Sequence, residues 1–120
     1  MDNLEKPIFD KAYCDANGIQ AEWFKFDKGL ARFLVALCED EKGNFIEEDS
    51  SVLGLTSYAI CKKLLCGEID EEINSILNRK GMKLSKLAYS TAEESIELAR
   101  SRVAENRYNG ALGKPPKNRQ

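Results

Sequence analysis

The stretch Asp27–Cys38, DKGLARFLVALC, decides the fold class. From Leu30 to Cys38 only Arg32 is polar. Leu30, Phe33, Leu34 and Leu37 recur at i, i+3, i+4 and i+7, which is one face of a helix. Ala31, Val35 and Cys38 fill the neighbouring face. A helix apolar nearly all round is expected to be buried. At about 1.5 Å per residue it is far too short to cross a bilayer. Asp27 is its N-cap candidate, and Gly29 weakens the first turn by about 1 kcal/mol relative to Ala. The expectation is a central buried helix, about 28–38, on which amphipathic segments pack.

Upstream, Ile19–Phe26 carries Ala21, Trp23, Phe24 and Phe26 and reads as a helical turn, irregular structure or a short strand, with helix or irregular structure preferred. Pro7–Ala16 is a short helix with Ile8, Ala12 and Tyr13 inward, started by a proline that lacks only a dispensable N–H and ended by Asn17-Gly18. Downstream, a turn over Glu39–Asn44 leads through Phe45-Ile46 to Glu47-Glu48-Asp49. Ser50 or Ser51 then caps a helix over Val52–Cys66 with Leu53, Ile60, Cys61 and Leu64 as its stripe, and Gly67 stops it. Glu68–Lys80 has acids in its first turns, bases in its last, and Gly81 behind it. Met82–Tyr89 is a short helix or connector. Thr91-Ala92-Glu93-Glu94 reads as a capping box for a last helix over Ala92–Tyr108, in which Glu97 and Arg100 pair at i, i+3. The architecture expected is all-α, a compact bundle of five to six helices in one domain over 1–110. A flexible basic tail follows over 111–120.

The 120 residues are 42% hydrophobic and 32% charged, which suits one globular domain with a charged exterior. The opening MDNLEKP has no basic region followed by an apolar run. A cytoplasmic location with four reduced, buried cysteines is therefore expected, and no membrane association. Without a single histidine, no Ser-His or Cys-His pair exists. Cys61 and Cys66 are separated by four residues, and Cys14 and Cys38 lie far from them, which is poor spacing for a zinc site. There is no phosphate-binding glycine loop. The carboxylates cluster in solvated runs rather than singly in apolar segments where burial raises a pKa. The expectation is a protein that is not an enzyme, with no metal and no cofactor.

Charge is distributed unevenly along the chain. Residues 1–72 hold 16 acids against 8 bases, and residues 73–120 hold 4 acids against 10 bases. The acids concentrate in Glu39-Asp40-Glu41 and Glu47-Glu48-Asp49, with Phe45 and Ile46 between. The first run follows a helix C-terminus, the end that disfavours negative charge. Local rules broken without compensation mark candidate functional sites. Phe45 set among Glu39, Asp40, Glu41, Glu47, Glu48 and Asp49 fits an apolar anchor inside an acidic rim, a docking surface for a basic partner. The basic half supports an alternative. Glu68–Lys80, Gly81 and Met82–Tyr89 have helix–turn–helix spacing, with Lys80, Lys83 and Lys86 near the second helix. A pI near 5.3 and the lack of Gln, Asn or Arg on that helix's polar face place DNA binding second. A helical accessory or chaperone-like protein, as a dimer, is the third reading.

In overall character, and in the stretch Glu39-Asp40-Glu41…Glu47-Glu48-Asp49, the chain resembles bacterial immunity proteins. These are small acidic helical partners that neutralise nuclease toxins delivered by contact-dependent growth inhibition. The resemblance is one of character, carried by no shared motif. It implies a tight one-to-one complex in which the acidic surface covers a basic active site or substrate surface of a cognate toxin.

Overall fold

The computed structural model describes residues 6–111. It contains five helices: α1 (Lys11–Ala16), α2 (Lys28–Ala36), α3 (Ser50–Cys66), α4 (Glu71–Leu77) and α5 (Lys83–Ala111). A single 3₁₀ turn, Glu47–Asp49, precedes α3. Among the described residues there is no strand, and the only β-type pairing is an isolated antiparallel bridge between Glu39 and Phe45. None of the helices is long and apolar enough to cross a membrane. The all-α expectation holds. The tail reading concerns residues that, from 112 on, lie outside the described part of the chain, and Ala111 still belongs to α5.

The hub of the bundle is α5 rather than the helix at 28–38. At about 1.5 Å per residue α5 is about 43 Å long, in a molecule spanning 60 × 34 × 21 Å. It packs against α1, α2, α3 and α4. No Gly or Pro occurs from Met82 to Asn109, so nothing stops the helix once Gly81, at φ +89°, has turned the chain into it. The two predicted helices, Met82–Tyr89 and Ala92–Tyr108, are therefore one. Thr91 is not a cap: its hydroxyl donates to the Leu87 carbonyl at 2.8 Å, the back-bond of a mid-helix threonine. The buried face of α5 runs through Ser85, Ala88, Ala92, Ile96 and Ala99, three or four residues apart, with Tyr89, Arg100 and Ala104 beside them. Most of these are small, so neighbouring backbones approach closely without long side chains between them.

The α2 helix forms as its sequence dictates, with the Asp27 carboxylate accepting the Leu30 N–H at 3.0 Å. Its burial differs from expectation. Leu30 is buried, as are Leu37 and Cys38 just past its end, but Phe33 and Leu34 are half-buried and Val35 is 53% exposed. A helix laid on one neighbour buries one stripe, and of the second apolar face of α2 Val35 remains at the surface. Leu30 joins Ala59, Ile60, Leu77, Ala88, Tyr89 and Ala92 in the main core cluster.

The flanking elements follow local chemistry. Asp10 takes the cap of α1, accepting the Tyr13 N–H, so the helix starts after the position that Pro7 suggests. Ile8 and Ala12 consequently face outward. Cys14 is the buried residue and packs with Phe9, Tyr13, Ile19, Val103 and Ala104. Residues 19–26 are irregular, as preferred from sequence, and Ser95 stands in for a strand partner. Its hydroxyl accepts the Lys25 N–H at 2.9 Å and donates to the Lys25 carbonyl at 3.1 Å. In α3 the inward residues are Thr56, Ala59, Ile60 and Lys63. Cys61 was expected in the stripe and Cys66 among the buried thiols, but both are exposed, while Cys14 and Cys38 are buried. The α4 helix ends at Asn78, short of Lys80, because the chain must turn at Gly81 to reach α5.

Candidate docking site

The two acidic runs have different local chemistry. In the first, Asp40 builds the loop: its carboxylate accepts the N–H groups of Lys42 and Asn44, both at 2.9 Å. The Asp40 N–H donates to the Asn44 carbonyl and the Gly43 N–H to the Asp40 carbonyl. Gly43 sits at φ +85°, a conformation that favours glycine. The bond from the Asn44 N–H, foremost among these, holds the Asp40 carboxyl below the usual carboxylate range. Glu39 and Glu41 remain exposed on either side.

The second run opens a helix rather than closing one. Glu47, Glu48 and Asp49 form the 3₁₀ turn that leads into α3. There the positive end of the helix dipole favours carboxylates, each by about 0.3–1 kcal/mol. The dipole conflict expected from sequence thus concerns the run after α2 alone. The Cys38 thiol donates to the Asp49 carbonyl at 3.8 Å and the Ile46 N–H to the Cys38 carbonyl at 2.7 Å. These bonds hold the start of α3 beside the end of α2.

Between those two helix ends lies an open groove of about 350 Å³, lined by Leu34, Val35, Cys38, Glu39, Phe45 and Leu53. Phe45 is 69% exposed. Of the residues singled out from sequence, Glu39 and Phe45 are in the groove wall. Asp40, Glu41, Glu47 and Glu48 stand exposed in the two flanking turns, and Asp49 is half-buried. Val35 and Leu53, which their spacing assigns to the core, instead form the groove wall, together with Leu34, which also packs against the main core cluster. The signal that could have found them is the surplus of apolar faces on α2, more than one neighbour can cover. The arrangement offers an apolar floor with carboxylates at its edge, suited to an apolar side chain flanked by cations. Among the described residues, no group of three or more His, Cys, Asp or Glu is placed to hold a metal ion.

Away from the groove, a charged network that the sequence alone does not assemble ties α1 and the C-terminal end of α3 to α5. Lys63 and Arg100 are each only 2% exposed. The Glu97 carboxylate serves both: it pairs with Lys63 and accepts two bonds from Arg100 Nη1 at 3.0 Å. Lys63 Nζ also donates to the Gly67 carbonyl at 2.9 Å, at the C-terminal end of α3. Arg100 continues to the Ile19 carbonyl (3.0 Å) and to Asp15 (2.8 Å), which in turn pairs with Lys11. Bonds from Lys11 and then Arg100 pull the Asp15 carboxyl down to about 2. Burial works against the Arg100 charge, but its bonds to Asp15 and Glu97 outweigh that and raise its pKa. Of these contacts Glu97–Arg100 at i, i+3 and Lys11–Asp15 at i, i+4 lie within single helices, whereas Lys63 and Asp15 meet α5 through the fold. Arg100, a cation of the basic C-terminal half, is thereby withdrawn from the surface.

Comparison with protein-family models, with curated proteins and with solved structures finds no match to this chain.

Proposed function

We propose that the chain is a protein-binding inhibitor that docks a basic protein partner in the acid-rimmed groove between α2 and α3. The observation that carries this reading is Phe45: a phenylalanine 69% exposed beside an apolar groove, with exposed carboxylates in the turns on both sides. Exposed aromatics on an apolar patch with a polar rim are the usual makings of a binding hot spot. The carboxylates would speed encounter with a positively charged partner and set its orientation. The narrower form of the proposal follows the resemblance to immunity proteins: the partner is a toxin, a nuclease with a basic substrate surface, neutralised one to one.

The DNA-regulator alternative is weaker on one count. It needs Met82–Tyr89 as a free recognition helix, whereas Lys83–Tyr89 is the start of α5, with Ser85, Ala88 and Tyr89 buried against the other helices.

The test is co-expression with the product of the adjacent gene. Co-purification as a stable 1:1 complex, weakened by Phe45→Ala, is the expected result. A complex that forms equally well with Phe45→Ala, or a neighbouring product that does not bind, overturns the assignment. The carboxylates are best probed as Gln, because Lys at positions 47–49 would also oppose the α3 dipole.

A further inference from the structure

A second apolar surface lies where the segment 19–26 crosses α5, and its charge is the reverse of the first. Trp23, the sole tryptophan of the chain, is 54% exposed and Phe26 is 58% exposed. Beside Trp23 on α5, Leu98 is 63% exposed. The cavity between them, about 390 Å³, is lined by Trp23, Lys25, Ser95, Leu98, Ala99 and Arg102. Its lining carries two cations and no carboxylate, whereas the lining of the Phe45 groove carries Glu39 and no cation. Both surfaces are held stiffly. The Lys25 backbone is tied to the Ser95 hydroxyl through both its N–H and its carbonyl, and the groove is tied by the Cys38–Asp49 and Cys38–Ile46 bonds.

We propose that the Trp23–Leu98 face of one copy docks into the Phe45 groove of a second copy, so that the free chain associates with itself head to tail. The proposal rests on the reading of the Phe45 groove as a docking surface. It follows from complementarity: each surface is apolar at its centre, and Lys25 and Arg102 meet Glu39 and its acidic neighbours. Because the two surfaces differ, the contact is heterologous. Every assembly then keeps one free groove and one free Trp23 face and can grow unless it closes into a ring. Two small patches make a weak contact, salt-sensitive through its charges. A basic partner competes for the same groove, so self-association is a reversible cover that the partner displaces.

Sedimentation velocity and tryptophan fluorescence on the full chain, over a range of concentrations, test this. The expected result is a sedimentation coefficient that rises with concentration and falls with salt, with a blue shift of Trp23 emission as it becomes buried. Phe45→Ala and Trp23→Ala each remove one half of the contact at an exposed side chain, so each alone should be monomeric with an unchanged circular dichroism spectrum. An equimolar mixture should form a dimer that grows no further, because one copy supplies the groove and the other the tryptophan, and the blue shift should return. A chain that stays monomeric with unshifted emission overturns the proposal, as does a dimer that the mixture fails to restore, which would be a symmetric contact. A monomeric chain that still binds its basic partner through Phe45 refutes the head-to-tail contact and leaves the docking reading standing. Successful mixing together with a partner complex indifferent to Phe45 does the opposite.

Discussion

Replacing Glu97 with Ala should be among the most damaging single changes in the described part of the chain. Its carboxylate is the one group shared by Lys63 and Arg100, both almost wholly buried. Removing one member of a buried ion pair costs about 3–5 kcal/mol, because a charge is left without compensation. The lower end applies here. Arg100 keeps Asp15 and the Ile19 carbonyl, Lys63 keeps the Gly67 carbonyl and the Glu93 carboxylate at 3.9 Å, and the Glu97 side chain is itself 22% exposed. With an unfolding entropy of roughly 2.1 cal/mol/K per residue, about 3 kcal/mol corresponds to a fall of about 12 °C in Tm. Lys63→Met should cost clearly less, since Glu97 then retains both bonds to Arg100 and methionine fills the buried stem. Thermal and urea unfolding followed by circular dichroism measure both. A Glu97→Ala variant within about 4 °C of the wild type, or one no worse than Lys63→Met, would refute the idea that this carboxylate pins α3 to α5.

Three further predictions concern stability. The Asp15 carboxyl titrates at about 2 in the folded chain, below its ordinary 3.8. Its pairing therefore stabilises the fold above pH 3.8, and that contribution disappears as the pH falls from there to about 2. Asp15→Asn should accordingly be less stable than the wild type near neutral pH, with the difference closing at the acid end of a urea series; a pH-independent difference would contradict this. Gly54 lies exposed within α3, with nothing within 4 Å of an added Cβ. Gly54→Ala should raise stability by about 0.5–1 kcal/mol. Gly67→Ala should lower it by about 1–2 kcal/mol, because Gly67 sits at φ +86° with the Gln20 amide 3.0 Å from the new Cβ. Equal effects in thermal melts would contradict both.

Most helices of this fold can be read from sequence because their starts and stops are local. Asp27 caps α2, Gly67 ends α3, and the acids of Glu71-Glu72 open α4 whatever the rest of the chain does. Which helix is central cannot be read the same way. DKGLARFLVALC has the bulky apolar residues, but α5 has the small ones, and close approach of several helices depends on Ala88, Ala92 and Ala99 more than on Leu and Phe. Apolar content therefore identified α2 correctly as a helix and misplaced it as the hub. The same apolar spacing hides half of the candidate site, because it places Val35 and Leu53 in the core. The charged half of the site, Glu39 to Asp49 with Phe45, was legible because those residues are consecutive. The network through Lys63, Glu97 and Asp15 was not, because its members are brought together by helix packing and carry no spacing rule.

The proposed function rests on Phe45, and its affinity for the co-purified partner tests it most directly. Isothermal titration of that partner with the wild type and with Phe45→Ala, each checked for an unchanged circular dichroism spectrum, gives the two dissociation constants. A hot-spot aromatic is worth at least about 2 kcal/mol, so the variant should bind about 30-fold more weakly or worse. A variant that binds within about threefold of the wild type, less than about 0.7 kcal/mol, would place the interface elsewhere on the molecule.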